Sequence, residues 1–152
     1  GESVGLEPHT RVMTGQSWHV RAWDERRQAF GDYRLSRLTG QVRVIRDKSR
    51  HREEHDERWN RVISLKLQPA AGLDAAARRL VCADFGIDDG PLEIRCREAM
   101  VPWLLPMLGV SVGGREDDVQ DRQLELTNED ALPAWLKASE RRRPTTPLRD
   151  TV

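Results

Sequence analysis

With 152 residues, the chain is one ordinary domain or two very small ones. Charged residues make up 33% and hydrophobic ones 38%, and 25 bases balance 25 acids, so no global charge points to nucleic acid. No apolar run approaches the ~20 residues that span a membrane, and no signal-peptide pattern opens the chain. Cys82 and Cys96 fall on the apolar side of a helical and a strand pattern, with no metal-site spacing, and read as buried thiols in a reducing cytoplasm. Arginines far outnumber the three lysines, Lys48, Lys66 and Lys137. Arginine's flat fork suits phosphate and carboxylate, although a GC-rich genome gives the same bias.

In chain order, "PHTRVMTGQSWHVRAWD" predicts a strand, a turn at Thr14-Gly15 and a second strand. Alternation puts Trp18, Val20 and Ala22 on one face and His19, Arg21 and Trp23 on the other. "DERRQ" is a charged hairpin loop. "AFGDYRLSRL" returns with Tyr33, Leu35 and Arg37 on one face and Arg34, Ser36 and Leu38 on the other. "TG" at 39–40 turns again, and "QVRVIR" predicts a fourth strand. Four short strands in about 40 residues suggest a small barrel or meander. Residues 47–58, "DKSRHREEHDER", hold no apolar side chain and predict a mobile loop or exposed arm, which is also the domain boundary.

Beyond it, "RVISLKLQP" is a strand with Ile63, Leu65 and Leu67 in register. "LDAAARRLVCADFG" is a helix capped by Asp74, with an inward stripe of Leu73, Ala77, Leu80 and Val81, ended by Gly86. "GPLEIRCR" is a strand, and "EAMVPWLLPMLG" a short helix with Trp103, Leu104, Met107 and Leu108 inward, kinked or ended early by Pro106. "DRQLELTN" is a last strand and "EDALPAWLKASE" a closing helix. The expected fold class is thus α+β: a small barrel at 1–58, a ferredoxin-like βαβαβ layer at 59–140, and a disordered tail at 141–152.

For chemistry, "HREEH" at 51–55 fits the H-x-x-E-H spacing, with His51 and His55 on one helical face. Its neighbours are all charged, so no apolar stripe can seat such a helix, and a solvated charge run is the stronger reading. No nucleophile elbow is present, and "SVGG" at 111–114 lacks the Lys-Ser/Thr of a phosphate loop. No enzyme and no cofactor are indicated. The hairpin carries the more specific pattern. His19 and Arg21 stand across from Arg34 and Ser36, a cluster of cations without an acid between them. An anion would relieve the repulsion, and a nucleotide phosphate or a single-stranded nucleic acid would fit, with Trp23 or Tyr33 as a stacking surface. Alternatively, Asp24, Asp32 or the later helices neutralise the row.

The stretch "EPHTRVMTGQSWHVRAWDERRQAFGDYRLSRLTG" (7–40) resembles the WYL domain of bacterial transcription regulators, with Trp18-His19-Val20 at the place of the Trp-Tyr-Leu triplet. Pro8-His9 before it and Phe30-x-x-Tyr-Arg-Leu-x-Arg37 after it look most like the WYL repressors that guard phage-defence operons. "RVISLKLQP", "DFGIDDG" and "CREAMVPWLL" resemble the C-terminal extension that accompanies WYL domains. The resemblance covers residues 6 to about 138. It implies an Sm/SH3-like barrel acting as a sensor, a cytoplasmic homodimer, and operator DNA bound by a winged helix-turn-helix that would lie before Gly1. It also implies a nucleotide-like or single-stranded nucleic-acid effector held by His19, Arg21, Arg34, Ser36 and Arg37, with His9 nearby. Arg37 reaches that set only if a bulge intervenes. The competing expectation is a ligand-free oligomerisation module whose arginines pair with acids.

Overall fold

The computed structural model describes residues 4–15, 17–45, 48–110, 112 and 122–140. The "SVGG" motif apart from Val112, Asp47 at the start of the charged stretch, and the tail from 141 lie outside the described residues. The chain forms two compact units, residues 1–63 with 96–104 and residues 64–95 with 105–152.

The first unit is built on a three-stranded antiparallel sheet in the order β1-β2-β3: β1 (Leu6–Thr14), β2 (Ser17–Asp24) and β3 (Ala29–Arg34). Gly15 takes a positive φ of 65° in the β1–β2 turn, where a side chain would be strained. The register sets Arg21 opposite Thr10 and Asp32, and His19 opposite Val12 and Arg34. It slips between Pro8 and Thr10, so His9 is an extra residue in β1, re-aimed by the bulge. β3 ends at Arg34, and a 3-10 turn, Leu35–Arg37, follows.

The predicted fourth strand is a correction. Residues 41–45 form no strand, and Val42, Val44 and Ile45 are 89%, 84% and 70% exposed. The pattern was that of a strand, but no neighbouring strand among the described residues takes up its amides.

The charged stretch is a second correction, since its described part is folded rather than loose. It makes a 3-10 turn, Glu53–His55, and a one-turn helix, α1 (Glu57–Asn60), that buries Trp59. Trp59 Nε1 donates to Glu53 Oε1 (3.0 Å), its carbonyl accepts from Arg97 Nη1 (2.6 Å), and the Arg97 guanidinium lies 4.6 Å over its ring. Arg61 donates to Glu98 Oε2 at 2.9 Å. Ion pairs and one indole replace the missing aliphatic side chains.

The second unit has the expected element order. β4 (Val62–Pro69) is the middle strand of a sheet with β5 (Leu92–Arg97) and β6 (Leu124–Leu126), and β4 pairs antiparallel with β6. α2 (Ala75–Phe85) is capped by the Asp74 carboxylate on the amides of Ala76 and Ala77, and Gly86 ends it at φ 63°. α3 (Val101–Met107) has Pro106 in its last turn, and α4 (Ala134–Glu140) follows. The core is aliphatic: Leu65, Leu67, Val81, Leu105, Leu124 and Leu136 are buried. Two residues expected inside face out. Leu80 is 66% and Met107 63% exposed, because Val81 and Leu105 take the inward positions.

The first unit's interior is of another kind. Among the described residues, the buried polar side chains Glu7, His19, Arg21, Asp24, Asp56 and Glu98 all belong to it.

Candidate ligand cleft on the first unit

The cationic face of the sheet is the covered one. Arg21 is 4% exposed and Asp56 2%, while Trp18 on the opposite face is 46% exposed with Arg11 stacked 5.1 Å from its ring. Arg21 Nε donates to Asp56 Oδ2 (2.6 Å), Nη2 to Asp56 Oδ1 (3.1 Å) and Nη1 to Asp32 Oδ1 (3.1 Å). Asp56 also bonds His9 Nε2 (3.1 Å) and caps α1 by accepting from the Trp59 amide (3.2 Å). One buried cation therefore serves two carboxylates, and each further oxygen finds a donor, which is what a buried charge needs. Burial by itself would raise the Asp56 pKa, but the hydrogen bonds and charge of Arg21, with His9, hold it below the usual range. Burial likewise opposes the charge on Arg21, and Asp56 and Asp32 outweigh it.

A second anchor lies further along the sheet. Glu7 Oε2 accepts from the amides of Arg50 (2.6 Å) and His51 (2.8 Å), and the His51 ring stacks on Trp23 at 4.0 Å. The His51 amide is the largest influence holding the Glu7 carboxyl below its ordinary range. Tyr33 donates a short hydrogen bond to Asp24, the main cause of that carboxyl's lowered pKa, while burial first and Asp24 second push the phenol up.

Beside this covered network a cleft of ≈ 290 Å³ is lined by His19, Asp32, Tyr33, Arg34, Arg37, Leu38 and Trp103. His19 is fixed at its rear. Nδ1 lies 3.1 Å from the Ser17 carbonyl and 2.9 Å from Thr14 Oγ1. The His19 ring lies 4.4 Å from the Trp103 ring, and Trp103 Nε1 donates to Asp32 Oδ2 at 3.3 Å. Asp32 is occupied by Arg21 and Trp103. Neither Arg34 nor Arg37 has an ion pair among the described residues.

Of the six residues singled out from the sequence, the structure brings His19, Arg34 and Arg37 together. The 3-10 turn after β3, rather than a bulge, carries Arg37 to the cleft. Arg21 is held by its two acids, outside the cleft lining, and the acids that neutralise it are Asp32, as the alternative expectation had it, and Asp56. His9 packs edge-on against Phe30 (5.5 Å) and Trp59 (5.8 Å), and Ser36 is exposed outside the lining. Sequence reasoning missed Asp56 and misassigned Trp103 to a helix core. Asp56 did carry a signal: an acid three residues before a lone tryptophan is a helix cap with something to bury. His51 and His55 face different partners, since His55 Nδ1 accepts from the Arg52 amide.

Residues 2–44 match the WYL domain, and residues 62–132 match the C-terminal dimerization domain of the BrxR transcriptional regulator. The chain thus carries a WYL domain followed by a BrxR-type dimerization domain, and both matched families are regulatory rather than enzymatic. It is homologous over most of its length to the DNA-binding transcriptional repressors CapW. The Pseudomonas aeruginosa CapW is 35% identical over 127 residues, which is 84% of this chain and 42% of that protein. The Stenotrophomonas maltophilia protein is 33% identical over 132 residues, 87% of this chain and 44% of its own length. The Escherichia coli protein is 33% identical over 137 residues, 90% and 45%. The chain therefore spans less than half the length of these relatives. Among the described residues no helix is long and apolar enough to cross a membrane.

Proposed function

We propose that this chain is the effector-sensing and dimerising part of a CapW-like transcription repressor, controlling a phage-defence operon. In this reading the first sheet is the core of an Sm/SH3-like barrel and the second unit is a ferredoxin-like layer. Operator DNA is held by a winged helix-turn-helix preceding these residues. The observation that carries the reading is the cleft where Arg34 and Arg37, without an ion pair among the described residues, stand beside the aromatic rings of Trp103, Tyr33 and His19. A guanidinium pair suits a phosphate, and the rings suit a base. The ligand class is a phosphorylated nucleoside, free or at an end of a single strand. Arg21 and His9 support the cleft rather than touch the ligand. Binding shifts the dimer between states of different effector affinity and so alters DNA release.

Dimerisation rests on the BrxR-type match and on outward Leu80 and Met107, apolar side chains that a partner copy would cover. The ligand-free oligomerisation module is favoured by one observation, the full neutralisation of Arg21 by Asp32 and Asp56. One experiment separates the two. The whole chain is titrated with cyclic and linear mononucleotides and with short single-stranded DNA and RNA, at low and physiological salt. Saturable binding weakened about 10-fold to 100-fold in the Arg34→Ala/Arg37→Ala double variant, with folding intact, is expected. Absence of saturation with every probe, or binding indifferent to both arginines, overturns the sensor reading. The mononucleotide and oligonucleotide arms tell a free nucleotide from a strand.

A further inference from the structure

Among the described residues, Trp103 is the one lining the cleft that comes from beyond the first 63, and it stands in the first turn of α3. That helix runs from the first unit into the second: the division falls between Leu104 and Leu105. Val101 and Leu105, both buried, lie four residues apart on one helix face, one in each unit. The Leu105 carbonyl accepts from the amides of Leu108 (3.1 Å) and Val110 (2.9 Å), so a shift of α3 is passed to residues 108–110.

The cleft cannot admit an aromatic ring between His19 and Trp103 as they stand. Their centroids are 4.4 Å apart, and a ring inserted between two others needs roughly 7 Å, twice an ordinary contact distance. A base that stacks there must displace the indole, because His19 is held at Nδ1 by Thr14 and Ser17. The displacement breaks one hydrogen bond, Trp103 Nε1 to Asp32, whose 3.3 Å is at the long end for such a bond. Asp32 keeps Arg21 Nη1 at 3.1 Å, so no buried charge is left unpaired.

We infer that Trp103 is the residue through which occupation of the cleft is transmitted, along α3, to the dimerization unit. The Trp103–Asp32 hydrogen bond is the latch that marks the empty state. This rests on reading the cleft as a nucleotide site. The test is hydrogen exchange of the whole chain with and without two probes, AMP and a short single-stranded DNA, with direct binding measured in parallel. In the wild type the bound probe raises exchange at Leu105–Val110. Trp103→Phe keeps a ring for stacking but offers Asp32 no donor. It is expected to exchange at Leu105–Val110 at the liganded level without probe, and to show no further change at a probe concentration that the parallel binding measurement shows to saturate it. Trp103→Met, which likewise offers Asp32 no donor, is the second variant should phenylalanine destabilise the fold. A Trp103→Phe protein that binds and responds like the wild type overturns the inference and leaves the cleft reading intact. Binding of neither probe to the wild type overturns the cleft reading, and the latch with it.

Discussion

Replacing Asp56 by asparagine removes one charge from the centre of the first unit while keeping its shape and its cap on α1. The carboxylate is 2% exposed and receives Arg21 at 2.6 and 3.1 Å, His9 at 3.1 Å and the Trp59 amide at 3.2 Å. An asparagine oxygen can still accept from Trp59, but its amide sets a donor against the Arg21 donors. Arg21, 4% exposed, then keeps Asp32 as its one carboxylate partner. Breaking one partner from a buried pair costs about 3–5 kcal/mol. For a chain of this size each kcal/mol moves the melting temperature by about 2–4 °C, so Asp56→Asn should lower it by roughly 6–20 °C. Thermal melts by circular dichroism measure this directly, and trypsin cleavage after Arg50 and Arg52 reports the local release of the docked stretch. The Arg21→Met/Asp56→Leu double variant should lose less than the two single changes summed, since it leaves no orphaned charge. A melting temperature for Asp56→Asn within about 2 °C of the wild type, the range of ordinary surface changes, would refute the claim that this pair holds the stretch on the sheet.

Acid should act on the same contacts. Glu7, Asp24 and Asp56 all have lowered pKa values in the fold. Their contribution is therefore present above the unfolded carboxylate range, about 4, and is lost as pH falls through the depressed folded values. The melting temperature should stay level from about pH 7 to 5 and fall below about 4; a level or rising profile down to about pH 3 would contradict it. Leu80→Arg should leave the fold intact, because Leu80 is 66% exposed, and weaken the dimer seen by sedimentation velocity. An unchanged dimer would place the interface away from that face of α2.

Much of the fold was legible because its signals are local. The Asp74 cap, the Gly86 terminus, the Thr14-Gly15 turn and the two hairpin strands each follow from side chains within a few residues of one another. The site was legible in part. Strand alternation put His19 and Arg34 on one face, and the register sets them directly opposite. It could not show that Arg37 arrives by a 3-10 turn, nor that Trp103, 69 or more residues from Arg34, Tyr33 and Asp32, closes the cleft.

By itself the sequence determined which side chains share a face, because a period of two is a property of the strand. Tertiary structure decided which face is covered. Alternation puts Trp18, Val20 and Ala22 on one side and the histidine–arginine row on the other, yet Arg21, like Ala22, is buried while Trp18 is half exposed. The burial of Arg21 comes from Asp32 across the sheet and Asp56 from a stretch with no apolar residue before Trp59. A row of cations can be buried once carboxylates distant in sequence satisfy every donor, and that satisfaction exists only after the chain has folded.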